Sequence, residues 1–376
     1  ATMNETEIIY DAIVIGAGIN GCGIAQALCK RGHRVLVLDK GEIGGGTSSK
    51  SSRLIHGGLR YLETFRFGLV YEALHDRQEL LETYPDLVFL QPFYLPIYQT
   101  SPRPVWKLWA GIKLYDLLAG RRNPKRSSKV PMGEFRDQFS LLKYEGIRAV
   151  LKYYDGKTND RALTKRVAEE TQGLGGTFLE RTAVQEVDWD AEGFRVRAGG
   201  ETYGCRTLVN ATGPWIDEVV TQLGFPARYQ VRKISGVHIF LKGLLTPEPM
   251  FLQASRKRIF FILPEPENNQ TMIGTTEREE EDAIDAVTVR EEDIVYLMDE
   301  VNRYLKPESQ IQRADVKDAV IGIRPLVASR KDPTNLSREY KLDLHRKGDT
   351  QLLHVFGGKL TTYLSLARRV VRKLRL

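Results

Sequence analysis

The sequence predicts an α/β chain in which a discontinuous parallel-sheet unit is interrupted twice by an antiparallel-sheet α+β unit. Three observations predict it. A mostly apolar run, Ile8 to Ile15, leads into the glycine loop Gly16-Ala17-Gly18-Ile19-Asn20-Gly21. Two more small-residue turns follow apolar strands far downstream, at Asn210-Ala211-Thr212-Gly213 and Phe356-Gly357-Gly358-Lys359. Between these segments the texture changes: Thr100 to Pro131 mixes Pro, Trp, Lys and Arg, and Val231 to Thr276 carries several strand-like runs. The expected division assigns 1–66, 150–222 and 345–376 to a cofactor domain, and 67–149 and 223–344 to a substrate-binding cap.

Taken in order, Ile8–Ile15 reads as a central strand buried on both faces, because its apolar run is nearly continuous. A helix from about Asn20 to Lys30 and a strand from Arg34 to Asp39 complete a βαβ unit of Rossmann-like type. Phe67 to Tyr84 places Leu69, Val70, Ala73, Leu74, Leu80 and Leu81 on one helical face. A helix follows from near Asp160 to about Thr171, then short strands at Thr182–Trp189, Phe194–Ala198 and Thr207–Ala211. Val237–Leu241, Arg258–Leu263 and Thr271–Thr275 read as antiparallel strands. Ile294, Leu297, Met298 and Val301 stand at helical spacing within Arg290–Leu305. Leu352–Phe356 is a strand, Gly357-Gly358 a turn, and Leu360 onward a helix.

With 42% hydrophobic and 27% charged residues over 376 positions, the make-up is that of a globular chain able to bury two cores. The net charge of +7 admits nucleic acid, an anionic membrane surface or an anionic substrate. No nucleic-acid motif accompanies it, and part of the excess sits in Arg368, Arg369, Arg372, Lys373 and Arg375. Ala1 to Glu7 do not read as a secretory signal, and no apolar run reaches the roughly 18 residues of a membrane span. Cys22, Cys29 and Cys205 have no metal-ligand spacing; they read as core residues of a protein in a reducing cytoplasm.

The glycine loop carries the first chemical assignment. Gly16 allows the tight turn, Gly18 the approach of backbone to a pyrophosphate, and Gly21 close packing of helix on strand. Ile19 and Asn20 open a helix whose N-terminus faces negative charge. Asp39, followed by Lys40, stands where a ribose-binding acid belongs. NAD and FAD both use this unit. The two later turns select FAD. Ala211-Thr212-Gly213, with Trp215 beyond it, lets backbone close over a cofactor. Gly357-Gly358-Lys359-Leu360-Thr361 opens a helix whose N-terminus and Lys359 suit the negative charge of a reduced flavin. Val184 joins the expected FAD lining.

The stretch Thr47-Ser48-Ser49-Lys50-Ser51-Ser52-Arg53-Leu54-Ile55-His56-Gly57-Gly58-Leu59-Arg60-Tyr61-Leu62-Glu63 resembles the flavin-loop signature of FAD-dependent glycerol-3-phosphate dehydrogenases, within the D-amino-acid-oxidase-like flavoenzymes. Gly16–Gly23, Asn210–Trp215, Ile273–Thr276, Gly322–Leu326 and Gly357–Tyr363 fit the same resemblance. It implies oxidation of sn-glycerol 3-phosphate to dihydroxyacetone phosphate, with hydride passing from C2 to flavin N5 and electrons onward to a quinone-type acceptor. It adds Thr47, Ser48, Ser49, Ser52, Leu54, His56, Gly57, Gly58, Gly322 and Arg324 to the FAD-binding set. Such a substrate needs cations for its phosphate and a base for its hydroxyl. Arg60, Arg324 and Arg338 are the candidate cations, His56 and His238 the candidate bases, and Lys359 a charge partner. Arg324 is expected at a rigid sheet end after Ala319–Ile323; Arg338 equally fits a solvated strand entry.

The chain departs from the family at Leu364, where Arg usually follows the last flavin turn, and relatives carry a further helical C-terminal domain beyond the point reached by Leu376. Arg103 to Tyr115, followed by Arg121, Arg122, Lys125 and Arg126, reads either as an interfacial helix or as one packed over the cap. The expected setting is cytoplasmic, with peripheral attachment to the cytoplasmic face of a membrane and a homodimer or partner subunit both open. Two alternatives stand beside the main reading: a related flavoenzyme acting on a 2-hydroxy acid or amino acid, and a flavin-binding subunit without turnover.

Overall fold

The computed structural model describes residues 8–255, 258–329, 332–337 and 339–376. Two sheets organise it. In the first, Ile8–Ile15 lies between Val35–Leu38 and Glu201–Asn210, parallel to both. Thr177–Leu179 extends the sheet beyond Val35–Leu38, and Thr350–Phe356 runs parallel beyond Glu201–Asn210, with Lys341–Lys347 antiparallel at that edge. Ala12, Ile13 and Val14 are fully buried, as an apolar strand covered on both faces requires. One face carries helices Ile19–Cys29, Asp160–Gly173 and Tyr363–Lys373. The first and last of these meet where Gly23 leaves no room for a side chain: a Cβ there would lie 2.6 Å from the Tyr363 ring. Asn159 caps the middle helix, its Oδ1 accepting the Ala162 N–H at 3.0 Å. Cys22 and Cys29 are core residues, as expected.

The second sheet is mostly antiparallel. From one edge it runs 332–337, Val316–Ser329, Tyr229–Lys242, Gln270–Gly274, Ile259–Glu265, Met250–Gln253, Val88–Tyr98, Ile147–Thr158 and Leu54–Ile55. Helices Phe67–Thr83 and Val105–Ala119 build one core against it, and Glu291–Asn302 packs within another. The α/β plus α+β architecture expected from sequence is therefore present.

Three features differ from the sequence reading. Ile147–Thr158, expected from 150 onward in the first unit, hydrogen-bonds within the second sheet, while Lys341–Lys347 begins in the first sheet before position 345. Val88–Tyr98, to which the sequence reading assigned no element, is a long strand despite Pro92 and Pro96. Arg324 does not stand at a sheet end. Val316–Ser329 continues through Pro325, which sits opposite Lys233, so Arg324 projects from mid-strand. A proline is tolerated in a ladder where its missing N–H is not called upon, which the sequence reading took instead for a strand end.

Candidate active site

A cavity of about 660 Å³ opens at the carboxyl ends of the central parallel strands, where the glycine loop, the Ala211 turn and the Gly357 turn converge. Of the residues expected to hold the cofactor, it is lined by Gly16, Gly18, Ile19, Asn20, Asp39, Lys40, Thr47, Ser48, Val184, Ala211, Thr212, Gly213, Trp215, Gly357, Gly358, Lys359 and Leu360. Gly16 adopts φ +105°, and a Cβ on it would lie 2.4 Å from the Ala211 carbonyl oxygen. Gly21 is outside the lining. A Cβ there would come within 1.8 Å of the Gly16 carbonyl, so it serves the packing of helix on loop.

The chemistry of the cavity fits a dinucleotide. Helix Ile19–Cys29 opens onto it without a cap from Gly18 and without an acid in its first turn, so its positive end faces the cavity. Asn20 Oδ1 and Lys359 Nζ, both on the wall, are buried without a hydrogen-bond partner. Asp39 Oδ2 accepts the Ala17 N–H at 2.6 Å, and its Oδ1 that of Gly41 at 2.7 Å. The acid thus holds the glycine loop in shape from the cavity wall. Lys40 reaches Asp285 at 2.8 Å, which also accepts from Trp215 Nε1 at 3.1 Å, so a cap residue closes the cavity rim.

The flavin-loop stretch runs from this cavity onto the second sheet. Ser48 Oγ accepts the Ile19 N–H at 3.0 Å, and Ser49 Oγ donates back to the Gly46 carbonyl at 3.0 Å. Thr47 Oγ1 donates to the Ile323 carbonyl at 3.0 Å. Gly322 gives the loop room: a Cβ there would lie 2.6 Å from the Lys50 carbonyl oxygen. Leu54 is buried in a short strand against Lys157. His56 N–H donates to Thr361 Oγ1 at 3.0 Å, while Gly57 and Gly58 pack against Leu74, Tyr115 and Tyr61 with no space for a Cβ.

The two histidines stand in different company. His238 is buried on Tyr229–Lys242, its ring pressed against Gly274, and its Nε2 lies 2.9 Å from Ser52 Oγ. Ser52, expected among the cofactor ligands, is thus also a partner of His238. Nδ1 of His238 is buried without a partner. Arg324 folds over Gly236, on the face that bears His238, and donates to the Thr276 carbonyl at 3.1 Å. Burial, then the charges of Arg324 and Arg53, hold the His238 imidazole down at a pKa of about 3. His56 is half-buried and also held near 3, by desolvation first and then by Lys359 and Arg77. Both are therefore neutral at physiological pH. Burial likewise lowers Lys359, whose amino group lies 5.0 Å above the Tyr61 ring. Arg60 faces Glu277 at 3.8 Å, and Arg338 lies outside the described residues.

The sequence reading missed Glu42, Arg161, Asp285 and Pro325 on the cavity wall, and Tyr61 beside Lys359. Tyr61 stands inside the quoted signature, next to Arg60, and so was open to selection. Asp285 reaches the site from the cap, and no local pattern marks it. Among the described residues no His, Cys, Asp and Glu cluster could hold a metal, and no helix is long and apolar enough to cross a membrane. Helix Val105–Ala119 leaves Trp106 73% and Leu117 74% exposed, with Lys113 and Lys129 over the Trp109 ring at 4.3 and 5.3 Å.

Comparison with known proteins adds an independent line. Residues 11–360 match the family described as FAD dependent oxidoreductase. The chain is 38% identical to the aerobic glycerol-3-phosphate dehydrogenase of Escherichia coli over 374 residues, covering 97% of this chain and 73% of that one. It is 35% identical, with the same coverage, to the D-erythritol 1-phosphate dehydrogenase of Brucella abortus. Among solved structures, the glycerol-3-phosphate dehydrogenase of Bacillus halodurans complexed with FAD superposes with a TM-score of 0.76 at 22% identity, over 99% of this chain and 65% of that one.

Proposed function

The chain belongs to the FAD-dependent oxidoreductase family, and from that premise we propose that it oxidises sn-glycerol 3-phosphate to dihydroxyacetone phosphate and passes the electrons to a quinone-type acceptor. The observation that carries this reading is the pairing, on one sheet face, of the Arg324 guanidinium with the neutral, buried His238. A phosphate ester of a polyol needs both: a planar fork for its phosphate and a proton acceptor for its hydroxyl. FAD, when bound, supplies the two-electron acceptor.

The roles follow from the surroundings of each group. Arg324 and Arg60 take the phosphate, with Arg338 as a third candidate cation. His238 takes the hydroxyl proton at Nδ1, the ring nitrogen not engaged by Ser52. A dianionic phosphate on Arg324 offsets the charge that depresses the imidazole, so substrate itself raises the basicity of its acceptor. Lys359, on the cavity wall and felt as a charge at His56, supplies positive charge toward the flavin.

Similarity to an erythritol-phosphate enzyme favours a second reading, in which the polyol is one carbon longer. Anaerobic mixing with each phosphate ester, and with glycine and lactate as controls, decides it through bleaching of the oxidised flavin band. Reduction by glycerol 3-phosphate is the expected result; reduction by erythritol 1-phosphate alone, or by an amino or hydroxy acid, overturns the proposal. The exposed Trp106 and Leu117 beside a lysine-rich surface support peripheral attachment to an anionic cytoplasmic membrane face. Flotation with anionic liposomes, lost in Trp106→Ala, is the expected outcome; no flotation of the unaltered protein removes the attachment.

A further inference from the structure

Helix Val105–Ala119 sends one side chain inward to the flavin loop. Tyr115 is only 2% exposed; its hydroxyl donates to Asp155 Oδ2 at 2.6 Å and accepts the Gly57 N–H at 2.8 Å. Asp155, also 2% exposed, is paired with Arg77 Nη1 at 2.8 Å, and that nitrogen donates in addition to the Tyr154 carbonyl at 2.9 Å. A hydroxyl has one proton to give. Asp155 takes it, so the Tyr115 oxygen presents only lone pairs to the loop and acts as a fixed acceptor for one amide. Apolar residues of similar volume are often as stabilising as a buried ion pair, so stability by itself does not account for this one.

The preceding amide is held from the opposite side. His56 N–H donates to Thr361 in the turn that carries Lys359, so two consecutive loop amides are pinned by two different units of the fold. The loop has no slack toward the cap. A Cβ on Gly57 would lie 2.8 Å from Leu74 and 2.8 Å from the Tyr115 ring. We propose that Tyr115, oriented by the Arg77–Asp155 pair, is a positioning residue that sets where the His56–Arg60 segment stands against the bound flavin. The inference rests on the reading of Thr47–Glu63 as the flavin loop.

The test uses the FAD-loaded protein and the variants Y115F, G57A and Y153F. Y115F removes one hydroxyl and keeps the ring. It should bind FAD at full stoichiometry, with an altered visible circular dichroism of the flavin. Its limiting rate of anaerobic reduction by glycerol 3-phosphate should fall at least about tenfold, with KM within about threefold. G57A presses on the same contact from the loop side and should give the same pattern; it carries the test if Y115F does not fold. Y153F, altered on a buried ring 5.9 Å from that of Tyr115, should behave as wild type. Wild-type dichroism and rate in Y115F overturn the proposal, as does an equal loss in Y153F, which would mark general loosening of the core. If glycerol 3-phosphate fails to reduce even the wild type, the substrate reading falls, and the dichroism of the two loop-contact variants decides the role of Tyr115.

Discussion

Replacing Arg324 with alanine separates substrate binding from everything else the residue does. In the fold, its guanidinium donates to the Thr276 carbonyl, a charge-assisted bond worth about 1.5–3 kcal/mol, so some stability is lost with it. In the proposed complex it makes charge-assisted bonds to phosphate of about 1.5–3 kcal/mol each. A bidentate pair then gives about 3–6 kcal/mol, a loss of about 10²- to 10⁴-fold in kcat/KM. A second signature accompanies the first. Arg324 is the leading charge that depresses His238, so its removal should raise that imidazole above its pKa of about 3, read by NMR titration of the His238 ring. Lysine at the same position keeps the charge and loses the fork; it should recover part of the rate and leave the titration unmoved. The assay is anaerobic flavin reduction across a glycerol 3-phosphate series, with FAD content measured in parallel. Full FAD content with kcat/KM within threefold of wild type, or an unmoved His238 in the alanine variant, would refute the reasoning.

Three further outcomes are expected. His238→Gln should slow flavin reduction by about 10²- to 10⁴-fold without loss of bound FAD, and a rate near wild type would transfer the base role to His56. Gly16→Ala forces a Cβ to 2.4 Å from the Ala211 carbonyl at a positive φ, so the purified protein should retain less than a tenth of the normal FAD; stoichiometric retention would argue against the cradle. Burial is the main cause that lifts Asp76, which accepts from Ser365, to a pKa of about 6. Its folded pKa therefore exceeds the unfolded value of about 3.9, and the linked stability, full below about pH 4, is lost as pH rises through about 6. A shift of roughly two units corresponds to about 3 kcal/mol, so Asp76→Asn should gain up to that much on wild type between pH 4 and pH 7.5. Urea unfolding at the two pH values measures the difference, and an unchanged gap contradicts it.

What could be read from the sequence was what local physics dictates. Ile8–Ile15, Phe194–Ala198 and the start of Phe67–Thr83 fall where apolar periodicity puts them, because burial of one strand or one helical face leaves its mark on neighbouring residues. The three glycine turns were visible because each needs a backbone at positive φ that glycine adopts freely, at Gly16, Gly213 and Gly357. Val88–Tyr98 was hidden by its two prolines, and the strand end assumed at Arg324 was suggested by a proline that the ladder accommodates. The partners of the site were hidden for a different reason. Asp285 over the cavity rim, Ser52 on His238 and Tyr115 on Gly57 are meetings between residues 58 to 245 positions apart, set by how two sheets dock. Residue type can nominate a histidine or an arginine, but it does not say which serine will face it.

The assembly of the first sheet from three distant stretches has a consequence during synthesis. Ile8–Ile15 can pair with Val35–Leu38 as soon as both leave the ribosome, yet its other neighbour is made some two hundred residues later, and the far wall of the cavity only with Gly357–Leu360. Until then the nascent chain carries an apolar strand with one open edge, the kind of segment that invites pairing with other chains. FAD has no complete cradle until Gly357–Leu360 have been made. Cofactor capture therefore waits for that turn, and flavin fluorescence of stalled chains would report the moment at which it arrives.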